Sequence, residues 1–267
     1  MALFGFIGVG NMGGPLLKSA VSTFGKEEVV FTSATIEHKQ VVAKELGIPF
    51  AEDNRAVAGK CKYLVLAVKP QTYPAVLEEI KDVVTNGQII ISLAVGVTIA
   101  TIKERLAKEV KVVRAMPNTP ALVSQGMTGI SFSEDSFSLE EREIIDRFFS
   151  SFGKYEVFKE ELMNAVSAAS GSSPAYAYMF IEALADSVVS YGIPREKAYT
   201  LAAQTLFGAA AMVLKTGEHP GMLKDNVCSP GGTTIAAVKA LEEHGFRNAI
   251  MKATDACMRK AEEMSKK

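Results

Sequence analysis

The run Leu3-Phe4-Gly5-Phe6-Ile7-Gly8-Val9-Gly10-Asn11-Met12-Gly13 decides how the rest of the chain reads. An apolar segment, residues 3–7, meets glycines at positions 8, 10 and 13, and a helix-like pattern follows. That is a strand, a glycine turn and a helix, with G-x-G-x-x-G at the junction. Gly8 permits the tight turn, Gly10 lets main chain approach a pyrophosphate, and Gly13 lets the helix lie close on the strand. The helix start then offers free N–H groups and a positive dipole end to phosphates. A dinucleotide site is the functional reading; a glycine-rich turn that binds nothing is the plain alternative.

Outward from this turn, short apolar runs alternate with helical patterns. Residues 29–32, 63–68, 89–93, 110–115 and 127–132 read as strands; 37–46, 73–84 and 99–106 read as helices, and Gly47 closes the first of these. Ser138 and Glu141 form a capping box that opens a helix over 139–152. This alternation predicts a parallel sheet with right-handed crossovers. After about Glu160 no strand pattern remains. Ser173-Pro174 reads as an N-cap followed by proline at the first helical position. Tyr176, Met179, Phe180, Ala183, Leu184, Ser187, Val188 and Tyr191 then mark one mostly apolar helical stripe. Gly192 ends that helix and Pro194 starts another. Its stretch 198–214 is apolar nearly all round, so it should be buried on every side. A domain of about a hundred residues has limited interior to hide it in; burial against a second copy of the chain is expected. Helices over 235–243 and 246–263 finish the chain.

With 267 residues and 48% hydrophobic content, the chain can hold two domains with a sizeable core. A formal charge of −1 gives no reason to expect nucleic acid or an anionic membrane as partner. Cys61, Cys228 and Cys257 are widely spaced with no C-x-x-C pair, which reads as reduced thiols in a cytoplasmic protein. The first apolar run lacks a basic leader, so no signal peptide is expected. The apolar run 201–214 is too short to span a bilayer and contains Gln204. His38, His219 and His244 have no metal-ligand spacing, and no metal is expected.

Several motifs carry possible chemistry. Glu27 and Glu28 precede the second strand, at the wrong end to hold a ribose. Its far end reads Thr32-Ser33-Ala34-Thr35, and these hydroxyls, with His38 and Lys39 near, suit a 2′-phosphate. NADP is therefore favoured over NAD, although Ser33 and Thr35 equally fit capping of the next helix. Ala67-Val68-Lys69-Pro70 ends a buried strand, where open α/β sheets bind ligands; a solvated lysine is the alternative. The loop Met116-Pro117-Asn118-Thr119-Pro120 is stiffened by its prolines and either faces the cofactor or forms a plain turn. Cys228-Ser229-Pro230-Gly231-Gly232-Thr233-Thr234 places a glycine pair before a helix start. Such a nest suits a small carboxylate or phosphate; ordinary capping by threonine is the commoner role.

In order along the chain stand GFIGVGNMG (5–13), AVKP (67–70), RAMPNTP (114–120), SGSSPAY (170–176), GEHPG (217–221) and LKDNVCSPGGTTI (223–235). Together they resemble the pyrroline-5-carboxylate reductase family, from residue 3 to about 265. The first motif is widespread; the last is specific to that family. The resemblance implies an α/β plus all-α architecture: an N-terminal Rossmann-type parallel-sheet domain over 1–160, binding NADP, and a C-terminal all-helical dimerisation and substrate domain over 161–267. It implies reduction of the cyclic imine 1-pyrroline-5-carboxylate to L-proline, with NADPH as donor and NADH as the other option. It also implies an intertwined homodimer, with five dimers often forming a decamer. Carried over by position, Gly8, Val9, Gly10, Asn11, Met12 and Gly13 hold the pyrophosphate. Ser33 lies by the adenosine ribose phosphate, and Asn54, Ala67, Val68, Lys69, Pro70, Val95 and Asn226 line the cofactor. Ser229, Gly231, Gly232 and Thr233 bind the substrate carboxylate, with Glu160 nearby, and Thr234 bonds the ring nitrogen as the catalytic group. One departure is Glu37, an acid in the loop that would meet the 2′-phosphate. A dehydrogenase of β-hydroxyacids needs a lysine in the region 170–178, which has none. A non-catalytic NADP-binding regulator would not need the nest at 231–234.

Overall fold

In the computed structural model, which describes residues 2–265, the first part of the chain is laid on a seven-stranded sheet. Its strands are β1 (Ala2–Ile7), β2 (Val29–Thr32), β3 (Cys61–Leu66), β4 (Ile89–Ser92), β5 (Lys111–Met116), β6 (Gly126–Phe132) and β7 (Gly153–Val157), in the order β2-β1-β3-β4-β5-β6-β7. The first five run parallel, as the alternating pattern predicts. β6 is antiparallel to β5, and β7 is parallel to β6. The reversal follows from the connection. Only a 3₁₀ turn, Thr119–Val123, joins β5 to β6, and a link without a crossover helix can join only antiparallel neighbours.

Helices cover both faces. One side of the sheet buries Phe4, Phe6, Tyr63 and Val65 under Leu16, Leu17 and Ala20 of α1 (Gly13–Phe24). Their neighbours there are Phe148 and Phe149, from the helix Leu139–Ser150. Phe4 stacks on Tyr63 at 5.1 Å and on Phe148 at 4.8 Å. Each such side chain contributes roughly 2–3 kcal/mol by leaving water. α2 (Ile36–Leu46) is capped by the Thr35 hydroxyl and closed by left-handed Gly47. The other side buries Ile7, Leu64 and Leu66 beneath helices that follow α3 (Asn54–Ala58): α4 (Tyr73–Ile80) and α5 (Ile99–Leu106). α4 is shorter than the expected 73–84; the chain leaves it through a turn in which the amides of Val83 and Val84 share the Ile80 carbonyl. α3 and β7 have no counterpart in the sequence pattern; both are short, and β7 is a largely exposed edge strand.

The expected capping box of α6 (Leu139–Ser150) is present. Glu141 accepts from the Ser138 amide at 2.9 Å and from Lys111 Nζ at 2.6 Å, and it pairs with Lys62 at 3.1 Å. Burial pushes its carboxyl up, but these donors outweigh burial and hold it below the usual carboxylate range. A depressed carboxyl adds stability above the ordinary glutamate pKa, about 4.3, that is lost as pH falls through the folded-state value. Glu141→Gln is therefore expected to cost about 1–3 kcal/mol at pH 7 in chemical denaturation. That deficit should shrink towards zero in acid.

Beyond Val157 no strand occurs among the described residues. α7 (Met163–Val166) passes into a π-helical turn, Ser167–Gly171, and then come α8 (Pro174–Val189), α9 (Arg195–Thr216), α10 (Pro220–Val227), α11 (Thr233–Glu243) and α12 (Phe246–Ser265). The chain divides into two compact units, Met1–Ser172 with Cys257–Lys267, and Ser173–Ala256. Ser173 does not cap α8: its backbone is already helical and its side chain makes no cap bond, since the π turn runs straight into the helix. α8 packs on α9. Within one chain α9 is not buried all round. Ala198 and Ala202 are covered, but Leu201 is 53%, Phe207 57% and Leu214 67% exposed. Among the described residues no helix is long and apolar enough to cross a membrane. The three cysteines are free, and burial pushes the Cys61 thiol up to about 12.

Candidate active site

The glycine turn has the geometry its sequence predicts. Gly8 sits at φ +91° and donates its N–H to the Thr32 carbonyl at 3.1 Å. Gly13 is the first residue of α1, and a Cβ there would stand 2.2 Å from the Gly8 carbonyl oxygen. A Cβ on Gly10 would meet nothing within 4 Å, so the main chain there is open to a ligand. Met12 precedes α1 without a side-chain cap, and no acid stands in the first turn. Uncompensated amides at a helix start suit a pyrophosphate. Val9, Gly10 and Asn11 line a cleft of about 540 Å³ that extends along α1 to His38.

At the end of β2 the two hydroxyls take different roles. Thr35 caps α2, whereas the Ser33 hydroxyl pairs with His38 Nδ1 at 2.8 Å. Lys39 turns inward and donates to the Glu52 carbonyl at 2.5 Å, so it does not stand beside His38. Glu28 accepts the Leu3 amide at the opposite end of the strand. Asn54 opens α3 and donates Nδ2 to Glu79 at 2.7 Å.

Ala67, Val68 and Lys69 follow β3. Ala67 donates to the Ile7 carbonyl at 2.9 Å, Lys69 is exposed, and Pro70 opens a 3₁₀ turn. After β4, Leu93 donates its amide to the Tyr73 hydroxyl at 3.2 Å, and Val95 packs on Met116, Met163 and Val166. Tyr73 is wholly buried and donates to the Leu66 carbonyl at 2.6 Å; burial pushes its hydroxyl up to about 12. The parallel register brings the carboxyl ends of β1 to β4 to one edge of the sheet, where such sheets bind ligands. Asn118 is a structural brace: its amide donates to the Ser170 carbonyl at 3.0 Å and accepts the Met127 N–H at 2.9 Å. Glu160 Oε1 accepts the Ile99 amide at 2.7 Å and pairs with Arg114 Nη1 at 3.3 Å. Arg114, Tyr73 and Glu79 were not singled out from the sequence. Arg114 stood inside a quoted motif, but nothing local marked it as buried.

In the second unit, Gly231 has φ +69° and Gly232 is the N-cap of α11, donating to the Ser229 carbonyl at 3.0 Å. A Cβ on Gly232 would lie 2.4 Å from Ser229 Oγ. Thr233 and Thr234 occupy the first two helical positions, no side chain caps the helix, and its first turn holds no acid. Threonine capping is thus not their role. Asn226 and Ser229 are exposed nearby in sequence, and Thr234 is half-buried. No group of three metal-ligating side chains occurs among the described residues.

Residues 3–96 match the family model "NADP oxidoreductase coenzyme F420-dependent", and residues 160–264 match "Pyrroline-5-carboxylate reductase dimerisation". The chain is 43% identical over 265 residues to pyrroline-5-carboxylate reductase of Escherichia coli (strain K12), covering 98% of each protein. It belongs to the pyrroline-5-carboxylate reductase family. Two solved structures are similar along their length. The Coxiella burnetii pyrroline-5-carboxylate reductase aligns with TM-score 0.91 and 34% identity, over 100% of this chain and 99% of that one. The Plasmodium falciparum pyrroline carboxylate reductase, solved with NADP bound, gives 0.88 and 31%, over 99% and 98%. The protein is therefore an NAD(P)H-dependent oxidoreductase with a Rossmann-type sheet, and its dimerisation domain supports homo-oligomerisation.

Proposed function

We propose that the protein reduces 1-pyrroline-5-carboxylate to L-proline, the last step of proline biosynthesis, with NADPH as donor and NADH as the alternative. The observation that carries this reading is the start of α11, where Gly231 and Gly232 precede an acid-free helix end whose two threonines are not used as caps. The substrate is a flat ring with one carboxylate and one imine nitrogen. It needs an anion nest, one hydrogen-bonding group at nitrogen, and a hydride donor in near-attack contact.

NADPH, when bound, would supply a hydride for the imine carbon, and a proton from water would end on the ring nitrogen. The chain's residues divide into two sets. Gly8, Val9, Gly10, Asn11, Met12 and Gly13 hold the pyrophosphate, and Ser33 meets the 2′-phosphate. Asn54, Ala67, Val68, Lys69, Pro70, Val95 and Asn226 flank the rest of the cofactor. Ser229, Gly231, Gly232 and Thr233 hold the carboxylate. Thr234 accepts from or donates to the ring nitrogen, orienting it first and relaying a proton second, since an unperturbed hydroxyl is a weak acid. The first set belongs to the nucleotide half, 1–160, apart from Asn226; the second belongs to the helical half, 161–267. The apolar side chains left open on α9 support burial in an intertwined dimer, with a decamer as the larger assembly. Free cysteines support a cytoplasmic location.

Mixing the protein with NADPH and following absorbance of the reduced nicotinamide tests the reading. Oxidation is expected only when 1-pyrroline-5-carboxylate is added. NADPH binding without turnover on that imine would point to a regulator instead.

A further inference from the structure

We propose that Arg114 and Glu160 form a positioning pair that sets the loop 93–98, and with it Val95, for cofactor binding, rather than a substrate contact. This rests on the reading of Val95 as a cofactor residue. The loop is held at three points. At its start the Leu93 amide is shared by the Leu66 carbonyl and the Tyr73 hydroxyl, each at 3.2 Å. In its middle Val95 packs on Met116, Met163 and Val166, and Gly96 turns the chain at φ +81°. At its end the amide of Ile99, the first residue of α5, donates to Glu160 Oε1 at 2.7 Å.

Glu160 reaches this amide from far along the chain, so something must fix it. Arg114 does so. Its side chain on β5 is 4% exposed, Glu160 is its ion-pair partner at 3.3 Å, and its Nε has no hydrogen-bond partner among the described residues. A buried guanidinium with one carboxylate neighbour pins that carboxylate firmly. Helix α5 does not need Glu160 to begin, because Thr98 already caps it, accepting the Thr101 amide at 3.1 Å. The Glu160 bond instead fixes where the preceding loop ends. Both of these contacts are made by Oε1 of Glu160, so one oxygen ties the loop end to Arg114.

The test uses paired variants of the whole protein, so that no buried charge is left alone. Arg114→Met/Glu160→Met removes the charges and the acceptor; Arg114→Met/Glu160→Gln keeps an oxygen for the Ile99 amide. NADPH affinity is read without imine, by nicotinamide fluorescence, so the result does not depend on the substrate assignment. In the Met/Met variant NADPH binding is expected to weaken about tenfold, while imine KM at saturating NADPH stays within about twofold. The Met/Gln variant should recover to within about threefold of the parent. Unchanged NADPH affinity in the Met/Met variant, or a raised imine KM in its place, overturns the proposal. Should the Met/Met variant not fold, hydrogen exchange on the unaltered protein decides. The Ile99 amide should exchange as slowly as a helix-interior amide, and fast exchange there overturns the pair's role.

Discussion

Gly13→Ala is expected to weaken NADPH binding by at least about a hundredfold, because a misplacement near 1 Å at a binding constellation costs that much. The new Cβ would stand 2.2 Å from the Gly8 carbonyl oxygen and 3.0 Å from Ala67 Cβ. Neither neighbour can swing aside. Gly8 is main chain, held by the hydrogen bond from its N–H to the Thr32 carbonyl, and Ala67 donates its N–H to the Ile7 carbonyl. The start of α1 must therefore move off the turn, and its free amides move with it. The strain is also expected to lower stability by about 1–3 kcal/mol. Fluorescence titration beside a denaturation curve separates the two effects. Near-parental affinity in a folded Gly13→Ala variant would show that the phosphates do not lie on this turn.

Thr234→Ala should lower kcat about a hundredfold while changing NADPH affinity less than about twofold, the pattern of a group engaged at the reacting centre. Its hydroxyl is at the second position of α11, past the N-cap, so its removal disturbs no cap. Thr234→Ser, which keeps the hydroxyl, should retain most of the turnover. Steady-state kinetics at saturating NADPH read both. An unchanged kcat in Thr234→Ala removes this residue from the mechanism.

Most of the first unit could be read in advance because its strands are apolar runs separated by capping signals. Ser138 with Glu141, Thr35, and Gly47 all stand where the pattern places helix ends. What escaped reading depends on tertiary context. β7 is short, polar and at an edge, so it lacks an apolar run. The direction of β6 depends on how its link folds, not on its own residues. Asn118 and Arg114 are polar residues of one motif, Arg114 in its strand and Asn118 in its loop, yet both are buried and bonded to distant segments. Lys39 suggested a phosphate contact by spacing alone, but its stem runs inward to the Glu52 carbonyl. The site's glycines were readable because each has a backbone reason that a sequence motif preserves. The residues that brace the site were not, because bracing is set by the partner's position.

The first unit takes its last portion from Cys257 onward, after the whole of the second in chain order. During synthesis on the ribosome, the whole of the second unit must emerge before the first has all its pieces. A nascent chain stalled in α11 would carry the glycine fingerprint and still lack part of the first unit. Completion of that unit is thereby deferred until the segment from Cys257 onward has been made.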